Sequence, residues 1–135
     1  MDDLGQFRDR IEIADVLLRY GSSLDERDWD RLETCFIPEA TGILAGGPRL
    51  AGYESIVEAI RVALEPYEST HHVITNAEAE LDGDSARLRA NLIATHILEQ
   101  GRFVVGGVYR EELVRTSDGW RISHHQLDAL WFEGP

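Results

Sequence analysis

The spacing of apolar residues changes once along this chain, near residue 70, and that change limits the folds open to it. Before it, apolar residues recur at three- and four-residue steps, which marks helices carrying one apolar stripe. After it they alternate, which marks strands with one buried face. Three turn signals punctuate the second half as consecutive hairpins do: Asp82-Gly83-Asp84, Gln100-Gly101 and Asp118-Gly119.

The spacing predicts helices over 5–24 and 53–64 and strands near 71–81, 85–99, 102–115 and 120–132. Between the helices, Asp28 suits the N-cap of a short helix with Trp29, Leu32, Cys35 and Phe36 on its inner face, stopped at Pro38. Residues 39–51 hold three glycines and a proline, which predicts a short strand and a loop. Helices followed by four long antiparallel strands predict an α+β fold, with the helices covering one face of a curved sheet. Such a sheet and its helices enclose a cone whose mouth is a natural small-molecule pocket. A length of 135 residues suits one domain, 1–135, large enough to bury a core.

Charge and cysteine usage narrow the function. Acidic residues number 25 against 13 basic ones, a formal net charge of −12. A general nucleic-acid binder needs the opposite sign, and adsorption to an anionic membrane is disfavoured too. The single Cys35 forms no internal disulfide, and neither a CxxC pair nor an HExxH motif points to zinc. No apolar run reaches the roughly 18 residues of a transmembrane span, and MDDLGQFRDR lacks the apolar segment of a signal peptide. A cytoplasmic location is the expectation.

Polar groups on apolar faces are the candidates for chemistry. Along 86–98 the even positions are Leu88, Ala90, Leu92, Ala94, His96 and Leu98, so alternation places His96 on the apolar face. A histidine there needs a partner or a task. For His71-His72, counting back from Leu81, Ala79 and Ala77 puts His71 inside, and a bulge near Thr75-Asn76 would put His72 there instead. Tyr20 lies on the inner face of the first helix, where core packing with the hydroxyl at the rim is the simplest role. Asp25 follows, and is a simple cap unless it reaches a histidine. The adjacent His124 and His125 point to opposite faces and read as structural or surface residues, with a minority reading in which one lines the pocket. Leu24, Leu44, Tyr53, Tyr109 and Trp131 are candidate pocket walls, with Tyr67 and Phe132 also bearing on its volume.

The stretch Tyr20-Gly-Ser-Ser-Leu-Asp25-Glu-Arg-Asp-Trp29-Asp-Arg-Leu resembles the first two helices of the SnoaL-like, nuclear-transport-factor-2-like superfamily. Thr70-His-His72, Ala94-Thr-His96 and Asp118-Gly-Trp120-Arg-Ile extend the resemblance over the whole chain. It is specific for the fold and weak for activity, since this fold hosts dehydratases, isomerases, cyclases, hydrolases and plain binding proteins. The pattern is most similar to scytalone dehydratase and bile-acid 7α-dehydratase. Asp25 before Arg27-Asp28-Trp29-Asp30-Arg31-Leu32, His72 and His96 match the aspartate and two histidines of the former. Tyr20, five residues before Asp25, fits the helix tyrosine of the latter. The scytalone dehydratase tyrosine next to the aspartate is Leu24 here, which argues against scytalone as substrate. Ketosteroid isomerase matches at Tyr20, but its two carboxylates would fall near Leu44 and Tyr109, which are not carboxylates.

The resemblance implies a cofactor-independent lyase. It would remove water from a small cyclic, polyketide-like or steroid-like hydroxy-carbonyl compound. His72 is then the base, Asp25 its partner, Tyr20 a donor to the enolate oxygen and His96 a group at the leaving hydroxyl. A metal held by His72, His96 and Asp25 is chemically possible, but the family pattern uses these groups as acids and bases. The alternatives are an isomerase, cyclase or hydrolase on the same pocket, or a non-catalytic binding protein. The resemblance also implies a homodimer, with a trimer as the alternative.

Overall fold

The computed structural model describes residues 2–135. Three helices, α1 (Asp3–Glu26), α2 (Trp29–Glu33) and α3 (Tyr53–Leu64), pack on one mixed sheet. Its strands are β1 (Phe36–Leu44), β2 (Arg49–Ala51), β3 (Ser69–Asp82), β4 (Ser85–Leu98), β5 (Gly101–Thr116) and β6 (Gly119–Glu133). Their spatial order is β2-β1-β6-β5-β4-β3. The last four form the expected run of antiparallel hairpins, and β1 adds to β6 in parallel.

Alternation fills the core as the sequence predicts. Ala86, Leu88, Ala90, Leu92, Ala94 and His96 of β4 are all buried against the helices. α1 contributes Ile13, Val16, Leu17, Tyr20 and Leu24, and α3 contributes Ile56, Ile60 and Leu64, each set at helical spacing. Asp28 caps α2 by accepting from the Arg31 N–H at 3.0 Å. Pro38 does not stop that helix, which ends before Thr34. It lies inside β1, where a register shift between Phe36 and Thr41 breaks the ladder to β6, so a missing N–H is tolerated. Among the described residues no helix is long and apolar enough to cross a membrane.

Two irregularities orient the site. A bulge between Thr75 and Glu78, with Asn76 at φ 57°, shifts the phase of β3. Thr70, His72 and Ile74 therefore turn inward, and His71 is exposed. Gly21 lets α1 lie close on β3 just there, since a Cβ on it would stand 2.8 Å from Ile74 Cδ1 and 3.7 Å from His72 Cβ.

The other end of α1 is held by Asp9. This buried carboxylate accepts from Arg115 Nη1 at 3.0 Å and Nη2 at 2.9 Å, and from Trp120 Nε1 at 3.0 Å. Arg115 stacks over the Trp120 ring at 4.7 Å. The Arg115 hydrogen bonds, with that of Trp120, hold the Asp9 carboxyl below its ordinary value despite burial. Its folded value thus lies below its unfolded one. The stability it contributes is complete above the unfolded value and is lost as the pH falls through the folded one. Asp9→Ala leaves the Trp120 N–H buried without an acceptor, a cost of about 1–3 kcal/mol. Urea denaturation should show that loss at neutral pH and a smaller difference from wild type in acid.

Candidate active site

Asp25 sits in the last turn of α1, beneath the start of β3. Its Oδ1 accepts from His72 Nδ1 at 2.7 Å and from the Thr70 hydroxyl at 3.1 Å. Its Oδ2 accepts from the His72 backbone N–H at 2.9 Å. Arg27, left-handed at the C-cap (φ 57°), donates from Nη1 to the Leu24 carbonyl and, at 2.9 Å, to Thr70 Oγ1. Burial works against the ionised carboxylate. The ring and backbone of His72 and the Thr70 hydroxyl outweigh it and hold Asp25 below its usual range. With Nδ1–H given to Asp25, the His72 Nε2 carries the free lone pair.

His72 lines a cavity of about 280 Å³ between α1, α3 and the sheet. Its side chain is only 5% exposed, so the ring is largely removed from solvent. His96 lines the same cavity, its ring centroid 6.2 Å from that of His72. The Nδ1–H of His96 donates to the Phe103 carbonyl at 3.0 Å, which leaves Nε2 as an acceptor. Burial pulls its pKa down, against that backbone hydrogen bond, so the ring is neutral at neutral pH.

The remaining wall is mostly apolar. Tyr20, Leu24, Leu44 and Tyr109 line it, with Ile60 and Leu64 of α3, Leu92 of β4 and Tyr67 at the rim. Asp25 stands behind His72 rather than on the wall. Two expected wall residues lie elsewhere. Tyr53 packs on Phe36 in a separate groove with Pro38 and Arg121, its hydroxyl donating to the Trp29 carbonyl at 3.2 Å. Trp131 lies over Gly106, where a Cβ would meet its ring at 2.0 Å, and is 43% exposed. A bulge opposite Gly106 and Gly107 changes the phase of β6, so that Phe132 reaches the cavity and stacks on Phe103.

Of the two adjacent histidines, His125 is the one inside the core. His124 and His125 do face opposite ways, and His124 Nδ1 meets the Thr41 hydroxyl at 2.7 Å. His125 is completely buried. Its Nδ1 lies 2.5 Å from Glu111 Oε1, and its Nε2 3.0 Å from the Tyr20 hydroxyl. Glu111 Oε2 accepts from the Gln126 N–H at 3.0 Å. Glu111 is on the inward face of β5 with Tyr109 and Leu113, so alternation carried two residues beyond Tyr109 would have found it. Burial keeps the Tyr20 phenol protonated, its pKa raised well above the ordinary value. Among the described residues no three histidine, cysteine or carboxylate groups converge as metal ligands.

Comparison with known proteins bears on the same features. The model of the SnoaL-like domain family matches residues 6–126. Rv2910c, an uncharacterised protein of Mycobacterium tuberculosis, is 31% identical over 126 residues, covering 90% of this chain and 86% of its own. A scytalone dehydratase-like structure from Novosphingobium aromaticivorans superposes with a TM-score of 0.85 at 17% identity, over 97% of this chain and 88% of that one. The hexachlorocyclohexane dehydrochlorinase LinA-type3 of Novosphingobium barchaimii gives 0.88 at 20% identity, over 98% and 93%. At those identities the two structures establish a shared fold.

The environment of His96 is open to direct measurement. Its folded pKa is lowered, so the unfolded chain takes the proton first and stability declines as the pH falls below the ordinary imidazole value. Histidine ring NMR should show His96 titrating below the ordinary imidazole value. A midpoint at or above that value would contradict the buried, neutral ring.

Proposed function

We propose that this chain, which belongs to the SnoaL-like domain family, is a dehydratase acting on a small cyclic or polyketide-like hydroxy-carbonyl compound. The observation that carries this reading is the 2.7 Å contact of Asp25 with His72 Nδ1, on a histidine that opens onto a mostly apolar cavity. Such a pair is a base of fixed tautomer, with a carboxylate placed to stabilise the imidazolium that forms.

The residues divide the reaction among them. His72 Nε2 removes the proton alpha to the carbonyl. The C–H electron pair moves onto the carbonyl oxygen, and Tyr20, a protonated phenol on the wall, donates to that oxygen. The enolate then re-forms the carbonyl as the carbon–carbon double bond is made and the β-hydroxyl leaves. His96 is neutral and committed through Nδ1–H to Phe103, so it orients the hydroxyl by accepting its hydrogen at Nε2. The proton that completes the departing water comes from the His72 imidazolium. The proton taken from carbon thus leaves on water, and the carbonyl is the only electron sink used.

Positioned proton transfer contributes typically 10²–10⁴-fold. Cyclic β-hydroxy ketones should lose water in the presence of the protein, detected by mass spectrometry. His72→Ala should slow turnover by about that factor, and Asp25→Asn should also be slow, because the amide cannot stabilise the imidazolium. Exchange of the alpha proton in deuterated water without water loss would favour an isomerase on the same pocket. Tight binding with neither exchange nor water loss, unchanged in His72→Ala, would reduce the site to a binding module.

A further inference from the structure

The cavity has a second buried acid–base pair that the elimination itself does not use. Glu111 and His125 both have fully buried side chains, on facing positions of β5 and β6. A pair of ionisable groups in a core is costly unless every hydrogen bond is made, and apolar residues of similar volume often do as well for stability. Here every bond is made. Glu111 Oε2 takes the Gln126 N–H, Glu111 Oε1 takes His125 Nδ1, and His125 Nε2 meets the Tyr20 oxygen. The chain ends on the only member that touches the cavity, Tyr20.

We propose that Glu111 and His125 are positioning residues that aim the Tyr20 O–H into the cavity, making it a receptor for an anionic oxygen such as an enolate or phenolate. The inference rests on the reading of the cavity as a site for a carbonyl compound.

Hydrogen-bond accounting supports it. A buried carboxylate beside an imidazole is electrically neutral as a pair when the ring carries both protons. Nδ1–H then serves Glu111, and Nε2–H donates to the Tyr20 oxygen at 3.0 Å. One lone pair of the phenol is thereby occupied, and its own O–H is left for the Tyr109 hydroxyl beside it or for a ligand oxygen in the cavity that both phenols line. The open space beside the ring is the cavity. A bond donated into the phenol oxygen also polarises its O–H, which strengthens what that O–H donates onward. Tyr109, edge-on to Tyr20 with centroids 5.6 Å apart, and Phe36 at 6.2 Å fix the ring between them. The ligand favoured at this wall carries its negative charge on oxygen.

The test compares 4-nitrophenol with nitrobenzene, which differ in one ionisable oxygen. Binding is followed by fluorescence quenching, and the ionised form by its visible absorbance. Wild type should bind 4-nitrophenol as the phenolate and prefer it to nitrobenzene. Tyr20→Phe should remove the preference. Glu111→Gln should reduce it roughly tenfold while nitrobenzene binding stays the same. In the Tyr20→Phe background Glu111→Gln should change nothing further, because its effect passes through Tyr20. Should Glu111→Gln not fold, Glu111→Leu/His125→Phe replaces both partners by apolar groups and should behave alike.

A preference kept intact in either Glu111 variant, or an equal loss of both ligands, overturns the inference in favour of a purely structural pair. Wild type binding neither probe overturns it together with the cavity reading. His72 takes no part in this measurement, so a failure of the elimination assay leaves the preference for the phenolate as a separate result.

Discussion

The carboxylate of Asp25 holds together the parts of this molecule on which the site depends. Its two oxygens take three hydrogen bonds from the first residues of β3, one of them from the backbone. The end of α1 is thereby pinned to the strand that carries His72, and the histidine is pinned in tautomer and direction. At the opposite end of the same helix Asp9 does the corresponding task for β5 and β6 through Arg115 and Trp120. A long helix held near both ends by hydrogen-bonded carboxylates has little freedom to slide. The cavity under it therefore keeps its shape, which a site working by position requires.

The cavity is polar at two places and apolar between them. His72 and His96 face it from β3 and β4, and Tyr20 faces it from α1 with His125 and Glu111 behind. Each polar group is tied on its far side, His72 to a carboxylate, His96 to a carbonyl and Tyr20 to an imidazole. Against mostly apolar walls such groups act more strongly than in water. The arrangement separates the histidine acceptors from the phenol donor, which suits the proposed removal of a proton next to a carbonyl.

Much of this was legible along the chain. Helical spacing placed α1 and α3, turn chemistry placed the three hairpins, and alternation placed His96 on the inner face. The resemblance to SnoaL-like proteins, carried by Asp25, Asp28-Trp29 and the Thr70-His71-His72 start, agrees with the family match over residues 6–126. Other residues were not legible. His71 and His72 could be ordered only once the bulge after Thr75 was seen. Phe132 reaches the cavity and Trp131 does not because of a second bulge, near Gly106. Tyr53 begins α3 on the side away from the cavity. Each error came from a one-residue change of phase or from a helix whose placement depends on its packing.

The sequence by itself determined the order of helices and strands, the face on which each apolar residue lies within an unbroken stretch, and an acidic surface. Those follow from local periodicity and composition, which do not depend on distant parts of the chain. Tertiary structure decided the parallel seat of β1 on β6, the bulges, and the meeting of Asp25 with His72 and of Tyr20 with His125 and Glu111. Those contacts join residues far apart in the chain. Their geometry comes from competition among whole faces for burial, in which each bulge trades one ladder hydrogen bond for better packing of the strand beyond it.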